Sequence, residues 1–194
     1  MDRKKINDHT PWEVVLDKIV RKLETWGQSH PTLYGKRLII QAVVGGHTQF
    51  LTKAQGMPKH IEEAITKIIR NFIWDNDIHP RIATEYLHRP LKEGGLNLLD
   101  IRACNDAIEL IWLRDFLNLT ESRQTWAIIS DVLINATAPL GASAVAIINT
   151  FLQDWRPPTR GQRIETLNED IRRMLKTARK YETNLAAIRL SPKV

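Results

Sequence analysis

The segment Thr10-Pro11-Trp12-Glu13-Val14-Val15-Leu16-Asp17-Lys18-Ile19-Val20-Arg21-Lys22-Leu23-Glu24-Thr25-Trp26-Gly27 sets the fold class. Trp12, Val15, Leu16, Ile19, Leu23 and Trp26 fall at offsets 0, 3, 4, 7, 11 and 14, which is one face of a 3.6-residue helix. Thr10 is an N-cap, Pro11 suits the first helical position and Glu13 is placed for a capping box. Gly27 is a stop. A helix with one apolar stripe must bury it against other elements, so the remaining chain has to supply partners.

It supplies more helices. After a loop through Ser29, His30 and Pro31, a second helix is expected over about Tyr34 to Thr52, with Gly45-Gly46 as a bend. Pro58 opens a third, with Glu62 and Glu63 in a first turn that favours negative charge. Its Ile61, Ile65, Ile68, Ile69 and Phe72 repeat at offsets 0, 4, 7, 8 and 11, ending near Trp74. Asp75 to Pro80 breaks the pattern, residues 81–99 show only a short apolar patch at Ala83 to Leu87, and Gly94-Gly95 demands a turn. Asp100 caps a fourth helix running to about Leu117, with Ile101, Cys104, Ile108, Ile111 and Phe116 as core candidates. Two more follow near Ser122 to Asn135 and Ala142 to Gln153. Trp155 to Gly161 reads as a linker, since consecutive prolines cannot continue a helix. In the last helix, about Leu167 to Tyr181, Leu167, Ile171, Met174, Leu175 and Ala178 share one side. Arg172, Arg173, Lys176, Arg179 and Lys180 fill much of the remainder. No run of period-2 alternation and no repeat of about 20 to 50 residues occurs. The expectation is an all-α protein: an N-terminal arm at 1–9, a compact helical domain at 10–153, a Pro/Arg linker at 154–166, and a basic helix and tail at 167–194.

Composition narrows the class. With 43% hydrophobic and 26% charged residues, the 194-residue chain reads as globular rather than disordered. One cysteine excludes an intramolecular disulfide and a cysteine-rich zinc site. The charged start lacks a secretory pattern and no apolar run is long enough to span a bilayer, so an intracellular setting is expected. Residues 155–194 hold 10 Lys or Arg against 4 Asp or Glu, whereas residues 1–154 balance at 18 against 18, so the tail supplies the whole net charge of +6. Within the balanced part, residues 1–58 are basic and residues 59–154 acidic. Two basic ends flanking an acidic middle point to a polyanionic partner.

The order of anchors from Trp26 to Asp100 is more specific. Trp26, Leu33-Tyr34-Gly35-Lys36-Arg37, Pro58, Phe72-Ile73-Trp74, Pro90 and Gly94-Gly95-Leu96-Asn97-Leu98-Leu99-Asp100 follow one another in the chain. This order resembles the thumb that follows the catalytic palm in reverse transcriptases of non-LTR, LINE-type retrotransposons. Two departures occur: Lys36 separates Gly35 from Arg37, and Leu98-Leu99-Asp100 stands where some relatives carry Leu-Pro-Asp. The resemblance covers roughly residues 10–118, and residues 150–181 are similar to the connector after the thumb in fungal elements. It implies a helical thumb-like fold whose partners are primer-template duplex, DNA or RNA-DNA, and the polymerase palm of the parent polyprotein. For an intact family member it implies the nucleus.

The chemistry of that family is missing. Templated nucleotide addition needs carboxylates holding two metal ions, which in the family come from palm motifs that include an aromatic-Ala-Asp-Asp turn. The chain has no adjacent Asp-Asp pair, and Asp75 and Asp77 lie in a polar break where such residues form turns. The six histidines make no His-x-x-x-His pair, Cys104 lies on an apolar helix face, and the glycine pairs lack a phosphate-cradle context. The expectation is therefore no catalytic residue, no metal, no cofactor and no small-molecule substrate.

Nucleic-acid contact remains. A thumb grips the sugar-phosphate backbone, which asks for cations and small polar residues on exposed helix starts. The candidates are Lys36, Arg37, Gln41, Gln49 and Lys53, with Arg172, Arg173, Lys176, Arg179 and Lys180 adding non-specific attraction. Trp12, Trp26, Trp74, Trp112 and Trp126 are assigned to core packing, and Trp155 to an exposed position. Two other readings stay open: a helical protein-interaction module, and a decayed retroelement fragment without independent function.

Overall fold

The computed structural model describes residues 10–80, 82–118, 120–137 and 167–183. The fold is all-α, with no strand among the described residues. In chain order the elements are α1 (Thr10–Gly27), α2 (Leu33–Ile40), a π-helical turn (Gln41–Gly45), α3 (Gly46–Gln55), α4 (Lys59–Ile73), α5 (Thr84–Leu87), a 3-10 turn (Leu91–Glu93), α6 (Ile101–Phe116), α7 (Thr125–Asn135) and α8 (Glu169–Lys180). The expected arm at 1–9, the helix at 142–153, the linker at 154–166 with Trp155, and the tail beyond 183 lie outside the described residues.

The chain divides into two units, residues 1–105 and 106–194. This differs from the expected division at 153/154. The reason is that α8 keeps an apolar stripe that needs covering, and it shares a core with the end of α6 and with α7: Leu113, Phe116, Ala127 and Ile134 pack with Leu167, Ile171, Met174, Leu175 and Ala178. The five residues predicted to share one side of the last helix are all buried there.

In the first unit, Trp12, Ile19 and Leu23 of α1 bury against Ile40, Val43 and Val44 and against the Ile61, Ile65, Ile69 and Ile73 stripe of α4. Glu62 ties α4 to the first turn of α6, accepting from Arg102 Nε at 3.2 Å and from Asn105 Nδ2 at 2.8 Å. Asp100 Oδ1 accepts from the backbone N–H groups of Arg102 and Ala103, the cap expected for that helix. The expected Gly45-Gly46 bend is instead a π turn inside a continuous helical path: Gly45 and Gly46 both keep right-handed helical backbone angles. Gly45 is buried, and a Cβ there would meet Leu99 Cδ2 at 3.6 Å.

The segment after α5 folds back on itself. Leu87 O accepts from Leu96 N at 3.0 Å and from Leu98 N at 2.9 Å, and His88 Nδ1 donates to Leu98 O. Gly94 adopts φ +79°, where a side chain would be strained, and a Cβ on Gly95 would lie 2.1 Å from Arg89 O and collide with it. This return delivers Leu98 and Ile101 to the first core.

Candidate nucleic-acid interface

The cations nominated from the sequence have separate fates. Lys36 is not available to a ligand. It is only 6% exposed, its Nζ donates to Ile73 O at 3.1 Å, and it pairs with the Asp75 carboxylate at 2.6 Å. Its role is to cap the C-terminal end of α4, where free carbonyls welcome a cation. This corrects the expectation that it faces a duplex. The neighbouring Arg37 is half-buried, donating from Nε to Asn97 O at 3.3 Å and lying 5.7 Å from the Tyr34 ring centroid. Lys36 and Arg37, in the middle and last turn of α2, thus fasten that helix to two distant chain segments.

On α8, the nominated Arg173 and Lys180 are held by acidic partners. Arg173 pairs with Glu109 at 3.1 Å and with Asp170, and Lys180 pairs with Asp106. Burial raises the Glu109 carboxyl above its ordinary value, and the Arg173 hydrogen bond and charge work against that rise. Arg172 is half-buried, while Lys176 and Arg179 are exposed. Tyr181 O–H also donates to Asp106, at 2.8 Å. The basic character of this helix is therefore partly consumed in holding it to α6.

Gln41, Gln49 and Lys53 are exposed, as expected. Gly46, Gln49, Phe50 and Lys53 recur at i, i+3, i+4 and i+7 and form one outward face of α3. Phe50 is 82% exposed, and a Cβ on Gly46 would meet nothing within 4 Å. The face offers an amide, an ammonium, an aromatic ring and uncovered backbone.

Beside it lies a groove of about 370 Å³ lined by Arg21, Lys22, Thr25 and Trp26 from α1, Ala42 and Val43 from the π turn, and His47 from α3. Sequence reading missed it. Trp26, expected in the core, is 52% exposed at the end of α1, where it lines this groove. Val43 O accepts from His47 Nδ1 at 2.7 Å, so Nδ1 carries the proton and Nε2 accepts from Lys22 Nζ at 3.3 Å. The only sequence signal was the run of polar residues at 21, 22 and 25, which reads equally as a solvated helix face.

Among the described residues no group of three His, Cys, Asp or Glu side chains could hold a metal ion, and no helix is long and apolar enough to cross a membrane. Cys104 is half-buried, and burial followed by the Asp100 charge pushes its thiol up, away from the reactive thiolate. No protein-family model matches the chain, and no curated protein or solved structure matches it.

Proposed function

We propose that the chain is a non-catalytic thumb and connector fragment of a LINE-type reverse transcriptase, which binds primer-template duplex through its sugar-phosphate backbone. The observation that carries this reading is the outward face of α3, where Gly46, Gln49, Phe50 and Lys53 stand together in solvent. An exposed phenyl ring beside bare backbone is an unusual surface for a helix with no partner. A cation and an amide on the same face suit phosphate and sugar oxygens. Gln41 extends this surface, with Arg37 at its half-buried margin. On this reading Lys36 supports the face without touching the ligand. In the parent polyprotein the palm would be the second partner, and work on chromosomal DNA would place the protein in the nucleus.

Binding of the full chain to an RNA-DNA hybrid and to a DNA duplex, measured from about 50 mM salt upward, tests the proposal. Each phosphate contact contributes a log-log slope of about 0.7 to 0.9. Lys53→Ala should lower the slope by about one contact and weaken binding on every sequence alike. Absence of binding to either probe at low salt overturns the reading.

One observation favours a second reading, a helical protein-interaction module. Ile128, Ile129 and Val132 are exposed on α7, whose single charged residue, Asp131, is occupied by Arg123. That face carries no charge of its own. Self-association or capture of a protein partner that is abolished by Ile129→Ser with Val132→Ser, together with no duplex binding, would favour this second reading.

A further inference from the structure

We infer that the groove between α1 and the α2–α3 run takes one unpaired nucleotide of a single strand, with the base on Trp26 and the phosphate on Lys22 and Arg21. The inference deepens the nucleic-acid reading above and rests on it. Size is the first argument. A volume of about 370 Å³ lies near the lower end of small-ligand clefts, enough for a nucleotide and too little for a helix or strand.

The wall chemistry is the second. Trp26 is half exposed and lines the groove, where a flat π system can lie on the indole. Bases of a duplex are stacked within it and cannot reach such a surface, whereas an unpaired base can. Charge selects the same ligand. Lys22 uses one of its three N–H donors on His47 Nε2, leaving two for an anion, and the imidazole is held as an acceptor by its own bond to Val43 O. Arg21 contacts Asp17 only at 3.6 Å, an exposed pair worth little, so its guanidinium can turn to a phosphate at small cost. Thr25 donates its hydroxyl proton to Arg21 O at 2.9 Å, so its oxygen presents lone pairs to donors on a base or sugar.

The test uses the full chain and three labelled probes at low salt: a short oligothymidylate, an abasic oligomer of the same length, and a blunt DNA duplex. The base-bearing strand should bind about tenfold more tightly than the abasic one. Trp26→Ala should erase that preference and leave duplex affinity unchanged, Trp26→Phe should keep most of it, and Lys22→Ala should weaken both single strands alike. Equal binding of the two single strands by the native chain overturns the inference without recourse to any variant, as does a preference that survives Trp26→Ala. Duplex binding without base preference removes the groove proposal alone. Base preference without duplex binding removes the duplex reading alone, and binding to none of the probes removes both.

Discussion

The Lys36 ammonium lies 2.6 Å from the Asp75 carboxylate, with the lysine buried and the aspartate side chain 84% exposed. Asp75 reaches it from a left-handed backbone position at φ +51°, at the turn that ends α4. The pair is unequal, since losing the lysine strands Ile73 O, whereas losing the aspartate leaves a cation that still bonds that carbonyl. Lys36→Met should destabilise the first unit by about 1–3 kcal/mol, and Asp75→Asn by no more than about 1 kcal/mol. Urea denaturation measures both. A stable Lys36→Met protein with weakened duplex binding would return this residue to the interface.

Two glycines should respond in opposite directions. Gly95→Ala would drive a Cβ into Arg89 O, at 2.1 Å, and the return that carries Leu98 into the core must open. A loss of about 2–4 kcal/mol is expected. Gly46 is helical, exposed and open, so Gly46→Ala should stabilise by about 0.5–1 kcal/mol through the unfolded chain. Thermal unfolding of the two variants side by side decides the point.

In the second unit α8 is a core element before it is a basic one. Met174 is buried, and Met174→Ala should cost about 2–5 kcal/mol. Lys176 lies on the same helix and is exposed, so Lys176→Ala should stay within about 0.5 kcal/mol. Chemical denaturation followed through tryptophan emission is suitable, because Trp112 and Trp126 pack on this core with ring centroids 5.1 Å apart.

Asp106 also sets an alkaline limit. Its hydrogen bond raises Tyr181 above the ordinary phenol value of 10.0 and Lys180 above 10.5. Between the unfolded and folded values the native state binds more protons than the unfolded state, so stability falls as pH rises through that window and is intact below pH 10. Difference absorbance at high pH should show Tyr181 ionising above the ordinary phenol value, and Asp106→Asn should bring it down. An unchanged titration in that variant would remove Asp106 as the cause.

Much of the fold was legible because helical periodicity is local. The stripes of α1, α4 and α8 follow from spacing alone, and Pro58 and Asp100 mark the helix starts where the structure places them. Lys53, expected just after the helix, instead lies within α3, where it and Gln49 stand exposed beside the buried Thr48 and Thr52.

What the sequence alone determined about this protein is therefore its helical class, the stripes that need burial and the lack of an adjacent Asp-Asp pair in the given chain. Tertiary structure decided which polar groups face water. Lys36 is buried because the end of α4 arrives beside it, Trp26 stands open at the end of α1, and the groove exists only where α1 lies along the π turn. Spacing assigns a residue to a face, whereas exposure depends on what distant chain brings to that face, and no local pattern encodes it.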